Sequence, residues 1–270
     1  MNLPVEVERA TSTYLALADD RLPGLVEGLY LHGSLGFGEF HPERSDIDFV
    51  AAVAERPDAE QVVALGEVLG EVARRHPRPH FDGIHVLRTD LAAIPSGCPD
   101  VPCFHEGRFD PAGRFELNPV TWHELAWHGV TVRGEPLRES DVWTDRAALR
   151  EFTYDNLKTY WRPLVEQMSS APVDKSEWLT EWFVLGTARL HHLLATGALT
   201  SKGGAGRHAL RTFASRWHPV VVEALRIREG GIRDGRPGPA ERYADDPATR
   251  ITDLTAFSEM VIEAGLELRG

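Results

Sequence analysis

The N-terminal half of the chain reads LHGS at residues 31–34 and SDIDF at residues 45–49. Side chains on a strand alternate between its two faces, so Asp46 and Asp48 are expected on the same face. Two such carboxylates can share metal ions, and they suit Mg²⁺, which binds through one or two carboxylates plus substrate phosphates. Gly33 and Ser34 precede a predicted helix and offer N–H groups for the terminal phosphates of a nucleotide. The two segments together predict a metal and phosphate site.

Each segment taken alone is also typical of a helix cap or a solvated strand end. Their combination favours a functional site, because apolar Phe49 and Val50 follow and a further acid, Asp82, lies on a later predicted strand.

Helix-like and strand-like patterns alternate around this site. Residues 5–20 and 57–75 have helical spacing, and residues 26–31, 46–53 and 80–87 are predicted strands. Residues 101–115 are expected to form a hairpin at the sheet edge. The first half is therefore predicted to be an α/β domain with a mixed sheet.

The second half has helical spacing throughout. Helices are predicted near residues 144–167, 175–196, 204–216, 219–229 and 248–267. Residues 229–247, rich in Gly, Pro and charge, are interpreted as a surface loop. The fold class is therefore α+β, with an N-terminal domain over residues 1–140 and a C-terminal helical bundle over residues 141–270.

The composition narrows the classes of partner. The 270 residues are 42% hydrophobic and carry 29 basic and 41 acidic side chains, a formal charge of −12. This charge disfavours nucleic acid as a partner and would attract a small cationic substrate, although an acidic surface can simply maintain solubility. Cys98 and Cys103 have neither disulfide nor zinc spacing. Without a leader or a membrane-length apolar run, the protein is expected to be cytoplasmic, with no membrane partner.

The LHGS and SDIDF segments resemble the DNA polymerase beta nucleotidyltransferase superfamily, in which a Gly-Ser is followed about a dozen residues later by Asp-x-Asp. The sequence VLGTARL at residues 184–190, with Thr196-Gly197 and Ser201-Lys202, is similar to the streptomycin and spectinomycin adenylyltransferases. The similarity runs from about residue 31 to residue 228 and is weak through the middle. It implies a nucleotidyltransferase domain and a helical domain that closes over nucleotide and aminoglycoside.

The resemblance implies roles for individual residues. Asp46 and Asp48 would ligate two Mg²⁺ ions, and Ser34 and Ser45 would contact phosphate oxygens. Lys202 would reach the triphosphate, which agrees with a cation at a helix start; the alternative is a solvated loop lysine.

Asp82 occupies the place of a family glutamate that helps deprotonate the attacking hydroxyl. Its side chain is one methylene shorter, so it is assigned as a metal ligand and possible base. The alternative is a structural acid at a strand end.

Recognition of the acceptor is less well matched. Trp178 and Glu181 lie near the place where the family binds the amino sugar, and an aromatic face with a carboxylate can bind an ammonium group. Tryptophans at helical spacing are also typical of a helix core.

The sequence thus predicts a Mg²⁺-dependent enzyme that transfers AMP from its co-substrate ATP to a hydroxyl of a small acceptor, an aminoglycoside-like aminocyclitol. The acceptor could instead be a protein or another metabolite. A nucleotide-binding regulator without turnover is a third interpretation, against which the three acids Asp46, Asp48 and Asp82 count.

Overall fold

The computed structural model describes residues 3–168, 177–230, 243 and 246–268. Residues 1–145 and 146–270 form two compact units. Most of the predicted loop at 229–247 lies outside the described residues.

The N-terminal unit contains a six-stranded mixed sheet. The strands lie in the order β5-β4-β3-β2-β1-β6; β2 and β3 are parallel, and the other neighbouring pairs are antiparallel. This sheet confirms the predicted α+β class. The elements are α1 (Val5–Arg21), β1 (Val26–Leu31), α2 (Gly33–Gly36), β2 (Ile47–Val53), α3 (Ala59–Arg75), β3 (Phe81–Leu87), α4 (Arg88–Leu91), β4 (Val101–His105), β5 (Arg108–Gly113), α5 (Pro119–His128) and β6 (Val130–Arg133).

Alternation along the strands divides the core into two layers. Ile47, Phe49 and Phe81 pack with α1 and α3 on one face of the sheet. Val50 and Ile84 pack with α5 on the other face. Because side chains alternate, Asp48 and Asp82 belong to the face that α5 covers.

Helix α5 and strand β6 are additions to the predicted elements. The helix is capped by Asn118, whose side chain accepts hydrogen bonds from the N–H groups of Val120 and Thr121. Its polar residues His123 and Glu124 are as buried as its apolar ones, so it lacks the apolar stripe by which a surface helix is predicted.

The C-terminal unit is helical, as predicted. Its central helix α8 packs against α9, α10 and α11. None of the described helices combines the length and apolar character that crossing a membrane would require. The helices are α6 (Arg146–Asn156), α7 (Arg162–Met168), α8 (Trp178–Thr196), α9 (Lys202–Thr212), α10 (His218–Arg228) and α11 (Pro247–Glu267).

The predicted helix over residues 144–167 is interrupted by a π-helical turn at Leu157–Trp161. Pro163 explains the interruption, since proline has no N–H to donate and its ring clashes with the carbonyl four residues earlier. The widened turn places Trp161 against Gly186, where a Cβ would lie 2.8 Å from Cζ2 of the indole.

Candidate active site

Three aspartates lie together at the start of the two parallel strands. Asp48 of β2 is directly in register with Asp82 of β3, so both side chains belong to the same face of the sheet. Asp46 immediately precedes β2, and its charge acts on both of the other carboxyl groups. The structure therefore brings together the three acids predicted from the sequence.

Gly33 provides the space that Asp48 occupies. Its φ of 58° lies in the left-handed region, which glycine adopts at little cost. A Cβ built at this position would lie 3.1 Å from Cγ of Asp48 and well inside van der Waals contact with Oδ2. The Asp48 carboxylate thus rests directly against the backbone of the turn that begins α2.

Glu124 of α5 holds this turn from the other side. Its Oε2 is 3.1 Å from His32 Nδ1 and accepts a hydrogen bond of 3.1 Å from the N–H of Gly33. The N–H of His32 donates to the backbone oxygen of Asp48, at 3.1 Å. The Gly33 N–H, which the sequence suggested for phosphate binding, is therefore engaged with Glu124.

The hairpin between β4 and β5 positions Asp82. Its two turn residues, Glu106 and Gly107, have φ values of 48° and 77°, as a two-residue hairpin turn requires. The N–H of Glu106 donates to Oδ1 of Asp82, at 3.0 Å. The buried aspartate is therefore fixed by a backbone donor from the neighbouring strands.

The electrostatics at Asp48 are those of a concentrated negative site. Burial raises the pKa of Asp48 to about 8; His32 opposes this rise, and the charges of Glu116, Glu124 and Asp46 add to it. Carboxylates this close together call for a cation between them.

The pKa values of Asp82 and His32 are both raised, and the charge of Glu116 contributes to each. Burial raises the pKa of Asp82 to about 7 against the lowering effect of the Glu106 N–H, and Asp46 and Glu116 raise it further. Burial alone would lower the pKa of His32, but its hydrogen bond to Glu124 and the charges of Glu116 and Asp48 outweigh burial and raise that pKa to about 9. The neighbouring carboxylates therefore favour the protonated form of His32.

The carboxylates of this site fit magnesium, which also takes ligands from substrate phosphates and water. They fit less well a metal whose ligands all come from protein side chains. Within the described residues, no group of three His, Cys, Asp or Glu side chains is placed to hold a metal ion by itself. Magnesium is usually bound by one or two carboxylates completed by substrate phosphates and water. Asp46 and Asp48 match that requirement, and a divalent cation would offset the like charges that raise the pKa of Asp48.

The two predicted phosphate-binding serines differ in their surroundings. Ser34 Oγ is buried, and the described part of the chain offers it no hydrogen-bond partner. Ser45 Oγ accepts from the N–H of His41, at 3.1 Å, while the Ser45 N–H donates to the His41 carbonyl. Ser45 therefore orders the loop before β2.

In the helical unit, Lys202 begins α9, and the hydroxyl of Ser201 caps this helix at the N–H of Gly204. Nζ of Lys202 lies 3.3 Å from Oε1 of Glu181, and the same oxygen accepts a hydrogen bond from Arg228 Nη1 at 3.1 Å. Burial, opposed by Glu181, lowers the pKa of Lys202. With 26% of its side chain exposed, Lys202 differs from a solvated loop lysine.

The two residues suggested for the acceptor are in different environments on α8. Trp178 is 51% exposed, and its ring centroid lies 5.8 Å from that of Trp182. Glu181 is buried and already binds Lys202 and Arg228. Trp178 thus offers an aromatic face, whereas the Glu181 carboxylate is occupied within the unit.

Glu124, His32 and Glu116 belong to this site and were not predicted. The Asn118-Pro119 pair is a helix-start signal that could have placed Glu124 on a helix. Its partner His32 is 92 residues away along the chain, and no local pattern connects them.

Two comparisons with known proteins found similarities. Residues 156–246 match the family model described as the C-terminal domain of aminoglycoside adenylyltransferases. The crystal structure of spectinomycin adenyltransferase AAD(9) from Enterococcus faecialis, with ATP and spectinomycin, is similar with a TM-score of 0.63. The alignment covers 93% of this chain and 99% of that chain at 14% identity, a likeness of fold. No curated protein matches.

The family match, together with the likeness of fold, supports a nucleotidyltransferase enzyme. More particularly, residues 156–246 of the chain are similar to the C-terminal domain of the aminoglycoside adenylyltransferases. The resemblance noted from the sequence is thereby confirmed.

Proposed function

We propose that the protein catalyses the Mg²⁺-dependent transfer of AMP from ATP to a hydroxyl of a small cationic acceptor, an aminoglycoside-like aminocyclitol. The observation that carries this proposal is the Asp48 carboxylate seated against Gly33, with Asp46 and Asp82 beside it. The match of the helical unit to the aminoglycoside adenylyltransferases supports the nature of the acceptor.

In the proposed reaction, the acceptor hydroxyl oxygen forms a bond to the α-phosphorus of ATP, the bond from that phosphorus to the bridging oxygen breaks, and pyrophosphate leaves. Asp46 and Asp48 would hold magnesium, which when bound supplies charge stabilisation for the attacking and leaving oxygens. Asp82 would be a further ligand to the magnesium, and its carboxylate would take the hydroxyl proton. Its Glu106 hydrogen bond keeps the carboxylate oriented while it does so.

The remaining site residues bind the two substrates. Ser34, whose buried hydroxyl has no partner among the described residues, donates to a phosphate oxygen. Lys202 contributes positive charge to the triphosphate, held in place by Glu181. Ser45 reaches phosphate from the loop that it orders, and Trp178 presents its exposed face to the acceptor ammonium.

The test is incubation with ATP, Mg²⁺ and a panel of aminoglycosides, followed by mass spectrometry for an acceptor that has gained AMP. Asp48→Asn and a reaction without Mg²⁺ are the controls, and both are expected to give no adduct because the metal ligand or the metal is missing. If pyrophosphate were released only when a protein is offered as the acceptor, the acceptor would be a protein and not an aminoglycoside. ATP binding without transfer to any acceptor would favour the regulator.

A further inference from the structure

Glu124 of α5 lies outside the three-aspartate cluster but contacts the turn against which Asp48 rests. It is 5% exposed, and its Oε2 lies 3.1 Å from both His32 Nδ1 and the Gly33 nitrogen. An ionised carboxylate only accepts hydrogen bonds, so both nitrogens carry hydrogen toward it. One oxygen from α5 thus fixes two consecutive residues, His32 and Gly33, of the turn that begins α2.

This turn determines where the Asp48 carboxylate can lie. The turn contacts Asp48 twice: the His32 N–H donates to its backbone oxygen, and the Gly33 Cα lies against its carboxylate. A shift of the turn would therefore move the carboxylate or the space that it occupies. Substitution of a partner that orients a metal ligand typically lowers metal affinity by about 10- to 100-fold.

We infer that Glu124 and His32 are positioning residues, which hold the Gly33 turn so that Asp48 presents its carboxylate to the metal–nucleotide complex. The inference rests on the proposed function, because it assigns that metal to Asp48. It goes beyond that function by making a helix on the covered face of the sheet responsible for the geometry of the metal ligand.

The test compares three substitutions on α5. Glu124→Ala removes the one oxygen that accepts from both nitrogens of the turn, whereas Glu124→Gln keeps an amide oxygen that can accept from the same two donors. His123→Ala is the matched control: His123 is a fully buried neighbour whose ring bonds to the Pro119 carbonyl and the Asp145 N–H.

Two measurements separate positioning from folding. Binding of Mn²⁺ in the presence of ATP is followed by electron paramagnetic resonance, and the stability of each variant is measured by urea unfolding. We expect Glu124→Ala to weaken Mn²⁺ binding by about 10- to 100-fold. Glu124→Gln should keep most of the wild-type Mn²⁺ affinity. His123→Ala should be less stable than wild type, with its Mn²⁺ affinity unchanged.

Full affinity in Glu124→Ala, or an equal loss in His123→Ala, would overturn the inference. If Glu124→Ala does not fold, His32→Asn and His32→Leu replace it, since the asparagine amide can donate where Nδ1 does and leucine cannot. Equal Mn²⁺ affinity in those two variants would also overturn it. Failure of the wild-type protein to bind Mn²⁺ with ATP would instead remove the proposed function itself.

Discussion

Gly33→Ala is the most direct test of the Asp48 site, because the substitution adds one methyl group at the point where the carboxylate rests. The new Cβ would lie 3.1 Å from Asp48 Cγ and closer still to Oδ2, whereas carbon atoms in contact are usually about 3.5–4.0 Å apart. The carboxylate must therefore move away from the turn.

Two effects of different size follow from this change. The left-handed backbone at φ 58° costs an alanine about 1–2 kcal/mol of folding free energy. The displacement of Asp48, on the order of 1 Å, is expected to lower turnover by about 100-fold. Stability should fall modestly while activity falls steeply.

Gly38→Ala is the matched control. Gly38 has a similar φ of 67°, but a Cβ there would meet no atom within 4 Å. The control should therefore show the stability loss without the loss of activity. Both variants are measured by urea unfolding and by the rate of AMP transfer at saturating ATP and Mg²⁺.

Equal turnover in the two alanine variants would refute the reasoning, since backbone strain would then be the whole effect. The same conclusion would follow if Gly33→Ala retained wild-type turnover with its fold intact. In either case Asp48 would not depend on the space at Gly33.

Three further predictions address other parts of the chain. Asp82→Glu should lower turnover at saturating Mg²⁺, because the longer acid crowds a buried position held by the Glu106 N–H; a rate equal to wild type would make Asp82 mainly the base. Lys202→Ala should weaken ATP binding, measured by calorimetry, by about 10- to 100-fold, because one charged contact is lost. Substitution of the exposed Lys158 by alanine should leave ATP affinity unchanged. Equal ATP affinities in the two variants would remove Lys202 from the phosphate site. Burial lowers the pKa of His85 from 6.5 to about 4, so the unfolded chain binds more protons between these values and stability is lost as pH falls. His85→Gln should abolish a loss of about 2 kcal/mol between about pH 7 and pH 5, measured by urea unfolding, and an unchanged pH dependence would contradict this.

Much of the fold could be predicted because its signals are local. Strand β1 has the predicted bounds, Val26–Leu31, since its apolar run ends at the turn before Gly33. The spacing of Asp46 and Asp48 correctly placed both near the start of β2. Periodicity also identified the helices of the second unit, although it could not indicate the π-helical turn before Pro163.

The remainder of the site depends on contacts between distant segments. Glu124 acquires its role only when α5 packs over the sheet, and neither its helix nor its partner was predictable from alternation of apolar residues. Gly33 could be identified as a turn residue, but the sequence suggested its N–H as the functional group. In the structure Gly33 matters because it has no side chain, since the Asp48 carboxylate occupies the space that a Cβ would fill.

The separation between His32 and Glu124 has a consequence for the newly synthesised chain. The acceptor for the turn is made 92 residues after the turn itself, which at about 5–20 residues per second takes about 5–18 s on the ribosome. During that interval strands β1 to β3 can form while His32 and Gly33 lack the oxygen that fixes them. A nascent chain arrested before α5 emerges would therefore carry all three aspartates around a turn that is not yet fixed.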